Sequence, residues 1–182
     1  MFNVKESLRD RKTSMPETII WLTGLAGAGK SSIADELAPR MGAMILDPPA
    51  IEKMGISEGP PLILDHVQLG AIARDFCTQG ICTVIVLDIP STVIAQHRAK
   101  TESVNHRLLE VFVDASFDCL LARRPNRYEV DDRSTWNEII DARKADADLV
   151  VIMNGKKEDD VLNSMSPILE AVAYTPFRKP AY

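Results

Sequence analysis

The residues best placed to do chemistry lie in one stretch, ETIIWLTGLAGAGKSSIADEL, where Gly24-Leu25-Ala26-Gly27-Ala28-Gly29-Lys30-Ser31 satisfies G-x-x-x-x-G-K-[ST]. Three glycines and the small Ala26 and Ala28 let the main chain curl, so that successive N–H groups converge on phosphate oxygens. Lys30 supplies a point charge for the β- and γ-phosphates, and the Ser31 hydroxyl can ligate a divalent cation. A helix opening at Ser31 and Ser32 turns its positive end toward the same anion. The expected ligand is therefore a nucleoside triphosphate with Mg²⁺, held by Gly24, Ala26, Gly27, Ala28, Gly29, Lys30, Ser31 and Ser32. A chance glycine-rich turn is the bland alternative. Against it stand a buried strand before the loop, Thr18–Leu22, and an apolar stripe after it, Ile33, Ala34, Leu37 and Met41. No N-K-x-D, the guanine-reading motif of most P-loop GTPases, occurs in the chain.

Two carboxylates close strands that could neighbour this loop. Asp47 ends AMIL; there it can hold Mg²⁺ or orient an acceptor hydroxyl, or it simply opens the turn at Pro48-Pro49. Asp88 ends Thr83-Val84-Ile85-Val86-Leu87. It is expected to join Ser31 in binding the metal or to take the acceptor's proton, the bland reading being a cap on the helix begun by Pro90-Ser91. Arg123-Arg124-Pro125-Asn126-Arg127 follows a helix, where guanidinium groups of Arg123 and Arg127 can clamp the transferring phosphoryl group, or merely complement a helix dipole. Asp65 reads as a helix N-cap, with Asp65-His66 as an acceptor contact the less favoured role. His97 and His106 read as surface residues in polar helical surroundings. Trp136 reads as packing for the helix around it, and Lys156 to Asp160 as a solvated helix start.

These groups need a scaffold. Short apolar runs at Thr18–Leu22, Ala43–Leu46, Thr83–Leu87, Glu110–Val113 and Leu149–Ile152 are uniformly hydrophobic, as strands buried on both faces should be. Amphipathic stretches near 31–40, 65–79, 92–102, 115–123, 135–146 and 158–173 separate them, with Gly80 placed to end the second. Strand–helix alternation with short links predicts an α/β fold, a five-stranded parallel sheet flanked by helices on both faces.

The chain has 182 residues, 46% hydrophobic and 26% charged, with a formal charge of -5. That suits one domain over 1–182, with an N-terminal extension at 1–16, a lid at 123–134 and a loose tail at 175–182. An acidic balance disfavours nucleic acid as partner, and no apolar run approaches the length needed to span a membrane. The opening MFNVKESLRDRKTSMPE has no secretory or transit character, and Cys77, Cys82 and Cys119 form no C-x-x-C pair. Reduced thiols in the cytoplasm are expected. Whether the chain acts alone or as a homodimer stays open.

Ile20-Trp21-Leu22-Thr23-Gly24-Leu25-Ala26-Gly27-Ala28-Gly29-Lys30-Ser31-Ser32-Ile33-Ala34 resembles the opening of the adenylylsulfate kinases, I-W-L-T-G-L-S-G-S-G-K-S-T-I-A. Residues 70–80, Glu110–Asp114 with Cys119 and Arg123, and Asp148–Val151 are similar to later segments of that family. The resemblance implies a P-loop NTPase fold, MgATP as donor and phosphorylation of a nucleotide hydroxyl. It also exposes departures. The family's L-D-G-D reads Leu46-Asp47-Pro48-Pro49, so its second aspartate, assigned to the acceptor hydroxyl, is Pro49. Its acceptor-gripping Arg and Asn become Leu62 and Asp65, a trailing Arg pair becomes Val67-Gln68, and its I-S-P becomes Asp88-Ile89-Pro90. No lid F-T-G is found. The donor half looks kept and the acceptor half rebuilt. The expected activity is phosphoryl transfer from ATP to a nucleotide-like small molecule, adenylylsulfate or another; the alternative is a nucleotide-binding protein without transferase activity.

Overall fold

A computed structural model describes residues 17–48, 64–104, 106–124, 133–154 and 157–174. Five strands, β1 Thr18–Thr23, β2 Met44–Leu46, β3 Thr83–Val86, β4 Arg107–Asp114 and β5 Leu149–Ile152, form one parallel sheet in the order β2-β3-β1-β4-β5. Between and after them run α1 Lys30–Met41, α2 His66–Thr78, α3 Ser91–Glu102, α4 Phe117–Arg123, α5 Arg133–Asp146 and α6 Lys157–Tyr174. The five-stranded parallel sheet with helices on both faces is thus as the alternation predicts.

The central strand explains the two layers. Every residue of β1 is buried, and alternate side chains enter different cores. Ile20 and Leu22 join Ile33 and Leu37 of α1, Leu109 and Val111 of β4, and Met165 and Ile168 of α6. Ile19 and Trp21 face the other way, toward Leu69, Ala73 and Cys77 of α2 and Ile94 of α3. A strand apolar at every position is the consequence of covering both faces.

β1 lies between β3 and β4, with Leu22 paired to Val86 and to Val111. Its C-terminal end, where the phosphate-loop sequence begins, therefore meets the ends of the two neighbouring strands. Parallel α/β sheets present ligand sites at that edge.

Local chemistry sets the helix ends. Asp65 caps α2 in a reciprocal box: its carboxylate accepts from Gln68 N at 2.8 Å while the Gln68 amide oxygen accepts from Asp65 N at 3.0 Å. At its other end Gly80 takes φ 79° and donates its N–H to Cys77 O, as its composition led one to expect. Strand β4 starts at Arg107, earlier than the apolar run alone indicates, because Arg107, Leu108 and Leu109 pair with Thr18, Ile19 and Ile20.

The two histidines read as surface residues are buried. His97 is only 4% exposed: Ile94, His97 and Thr101 make the inward stripe of α3, and the His97 ring lies 4.8 Å from that of Trp21. His106 is 9% exposed and precedes β4 rather than lying on a helix, with Nδ1 3.8 Å from Glu17 Oε2. The polar neighbours that suggested a surface helix occupy the opposite face of α3. The expected N-terminal extension, Arg127 and the tail lie outside the described residues, as does the Trp136 side chain.

Candidate active site

The turn from β1 into α1 is built on three left-handed glycines, Gly24, Gly27 and Gly29, at φ 123°, 89° and 111°. Gly24 shows why the residue type matters: a Cβ there would run into the carbonyl oxygen of Val113 on β4, so only glycine lets the loop lie against that strand. Ala28 N donates back to Leu25 O at 3.1 Å, closing the turn between them. Gly29 caps α1 without any side-chain hydrogen bond, and the first turn of α1 carries no acidic residue. Its positive end thus meets no carboxylate from its own first turn, an arrangement that suits an external anion. Lys30 lies along the loop, with Nζ donating to Gly24 O and to Leu25 O at 2.9 Å.

Asp47 follows β2, is 8% exposed, and its Oδ2 accepts the Ser31 hydroxyl at 2.8 Å. The two oxygens form a hard donor set of the kind that suits Mg²⁺ with its remaining waters. The sequence offers both Asp88 and Asp47 as partners of Ser31 in holding the metal; the Ser31 hydroxyl donates its hydrogen bond to Asp47.

Asp88 is held from two other sides. Its Oδ1 accepts Gly24 N at 3.0 Å and lies 2.7 Å from Nη1 of Arg143. It does not cap α3, whose N-cap Pro90 has no side-chain cap bond. Asp88 therefore touches the first glycine of the loop directly.

Arg123 reaches back from the end of α4. Its Nη1 donates to Gly27 O at 3.1 Å and its Nη2 to Met153 O at 2.8 Å, tying the loop to the end of β5. The neighbouring Arg124 stem lies over Gly27, where an added Cβ would meet its Cγ at 3.1 Å. Asn154, after β5, accepts Ser116 N with its side chain and Cys119 Sγ at 3.1 Å with its carbonyl. Ala26 and Ser32 lie on the loop and the first turn of α1. Arg127, which sequence adds to the clamp, falls outside the described residues.

Sequence reasoning misses Arg143 and Lys144 near the C-terminus of α5. Arg143 Nη2 also donates to Ile89 O at 2.9 Å, and its Cζ sits 5.3 Å from the Phe112 ring centroid; Lys144 Nζ pairs with Asp114 Oδ2 at 2.6 Å. Nothing in the local pattern marks them, because each acts on a carboxylate at the end of a strand far away in sequence.

Behind the strand ends lie further buried polar groups. Glu110, facing Ser91 Oγ at 3.0 Å, has its carboxyl pushed up by burial, a shift the Ser91 hydrogen bond opposes. His97 is pushed down to about 4, by burial first and then by His66, Arg74 and Lys100 nearby.

No family model matches the chain. It is 32% identical over 123 residues to the adenylyl-sulfate kinase of Vibrio cholerae, covering 59% of this chain and 54% of that protein. Against the adenylyl-sulfate kinase of Buchnera aphidicola it is 28% identical over 133 residues, covering 65% and 60%. The match thus spans little more than half the length of these relatives. Shikimate kinase from Acinetobacter baumannii, solved in complex with shikimate, superposes with a TM-score of 0.52 at 20% identity over 86% of this chain and 95% of that one. That likeness is one of fold. A sequence similarity to adenylyl-sulfate kinases is thus found with two curated relatives.

Proposed function

We propose that this chain, similar in sequence to adenylyl-sulfate kinases and built on a P-loop kinase fold, transfers the γ-phosphoryl group of ATP to a hydroxyl of a nucleotide-like small molecule, adenylyl sulfate or a different acceptor. Loop amides from Gly24 to Ser32 and Lys30 would bind the phosphates, and Ser31 with Asp47 would hold Mg²⁺, which supplies charge neutralisation on the phosphate oxygens. Arg123 fixes the loop against β5. Asp88, open on its Oδ2 side among the described residues, would orient the acceptor. In the balanced step the bond from the γ-phosphorus to the β,γ-bridging oxygen breaks, the acceptor oxygen bonds to that phosphorus, its proton passes to a carboxylate, and ADP leaves.

The observation that supports this reading best is the convergence of two carboxylates on one loop: Asp47 on Ser31, and Asp88 on Gly24 N. The competing reading, nucleotide binding without transfer, draws on Pro49, which stands where the resembled family has its acceptor aspartate. ADP release measured with MgATP against a panel of hydroxyl acceptors, adenylyl sulfate included, separates the two. The kinase reading expects acceptor-dependent ADP abolished by Lys30→Ala; thermal stabilisation by MgATP with no ADP from any acceptor supports the other. Three free cysteines agree with the cytoplasmic setting we assign.

A further inference from the structure

Arg143 has no part in the sequence motifs, yet its contacts are specific. One nitrogen, Nη1, lies 2.7 Å from Asp88 Oδ1, and Nη2 donates to Ile89 O, the next residue's carbonyl. The guanidinium also lies over the Phe112 ring, and the side chain is 17% exposed. A planar fork held by a carboxylate, a carbonyl and an aromatic face has little rotational freedom left. Asp88 is the more open partner, its side chain 37% exposed, and its Oδ1 is already shared between Arg143 and Gly24 N. Both donors are on one oxygen. Among the described residues Oδ2 has none.

We propose that Arg143 is a positioning residue: it locks Asp88 with Oδ1 against the phosphate loop and Oδ2 turned to the acceptor. Packing alone explains the Phe112 contact but not why two of the guanidinium's nitrogens are spent on consecutive residues after β3. The interaction also runs from α5, the helix that follows the expected lid segment, to the first glycine of the loop, so the carboxylate's aim is set from outside the motif that binds phosphate. The catalytic part of this inference rests on the kinase reading; the placement of Asp88 does not.

The test follows the Gly24 amide by ¹H–¹⁵N NMR of the full chain, in wild type, Asp88→Asn, Arg143→Met and Arg143→Lys, alongside ADP release with MgATP and adenylyl sulfate or any other acceptor that turns over. Methionine keeps the apolar cover on Phe112 without the fork. Arg143→Met is expected to move the Gly24 resonance in the direction Asp88→Asn moves it, and Arg143→Lys to restore it in part. Where turnover is seen, kcat should fall about 100-fold with KM for MgATP unchanged, the effect of a displaced reacting group, and should fall little further in the double variant with Asp88→Asn. An unmoved Gly24 amide in a folded Arg143→Met protein overturns the proposal, even if the wild type proves an active kinase. Should no acceptor yield ADP while the amide still moves, the kinase reading fails and the positioning role stands.

Discussion

The hydroxyl of Ser31 is hydrogen-bonded to Asp47 at 2.8 Å, joining the first turn of α1 to the residue after β2. A hydroxyl and a buried carboxylate at this separation can share one cation's shell, whereas either alone is a weak site for an ion that parts reluctantly with its waters. Asp47→Asn keeps the hydrogen-bonding shape but removes the charge. It is expected to weaken ATP binding about 10- to 100-fold in magnesium and to leave binding in EDTA unchanged. Titration calorimetry in the two buffers reads the difference; equal losses in both would show that Asp47 serves the fold rather than the metal.

Two glycines in the left-handed region separate a functional constraint from a merely conformational one. Gly42 at φ 63° has no atom within 4 Å of where a Cβ would stand, so Gly42→Ala should cost only the left-handed penalty, about 1 kcal/mol. Gly24→Ala adds a clash with backbone of Val113, which cannot swing aside as a side chain could. Its loss of stability should exceed about 3 kcal/mol, and nucleotide binding should vanish with it. Urea denaturation of both variants checks the order; similar midpoints would mean that the loop relaxes away from β4.

How far the sequence reaches depends on the range of the interaction. The phosphate loop, the five strands and the caps at Asp65 and Gly80 are set by neighbours a few residues away, so they are legible. Apolar runs reveal that β1 is covered on both faces, because uniform burial leaves that signature. What composition cannot show is which distant group meets which carboxylate. Ser31 bonds Asp47, while Asp88 bonds Gly24 N and Arg143; these partners are far apart in sequence, so no local pattern announces them. His97 fails for a related reason: α3 has only a weakly apolar stripe, and a histidine fills it by lying against Trp21.

The cysteines should react at very different rates. Cys77 is 1% exposed on the inner face of α2, and burial pushes its thiol up to about 12. Thiolate is the reactive form, so at pH 8 this residue should be silent in the native protein. Cys82 and Cys119 are only partly buried. Ellman's reagent is expected to titrate these two and to reach Cys77 only after denaturation. Rapid native labelling of Cys77, located by mass spectrometry, would show α2 opening from the sheet.

His97 should make the fold sensitive to mild acid. Its ring is pressed on Trp21, its Nε2 lies 3.1 Å from His66 Nδ1, and Arg74 and Lys100 add positive charge. The folded state therefore resists protonation down to about 4, while an unfolded histidine protonates near the ordinary value of 6.5. Between these values the unfolded chain binds the extra proton, so this contribution is complete above pH 6.5 and is lost as pH falls toward 4. The full span corresponds to about 3 kcal/mol. Glu110, raised by burial, tilts the balance the opposite way but is common to both proteins in the comparison. Urea midpoints of wild type and His97→Phe, measured from pH 7 to pH 4, should show the variant losing less stability across that interval. Parallel curves would place the histidine's resistance to protonation outside the forces that hold this fold.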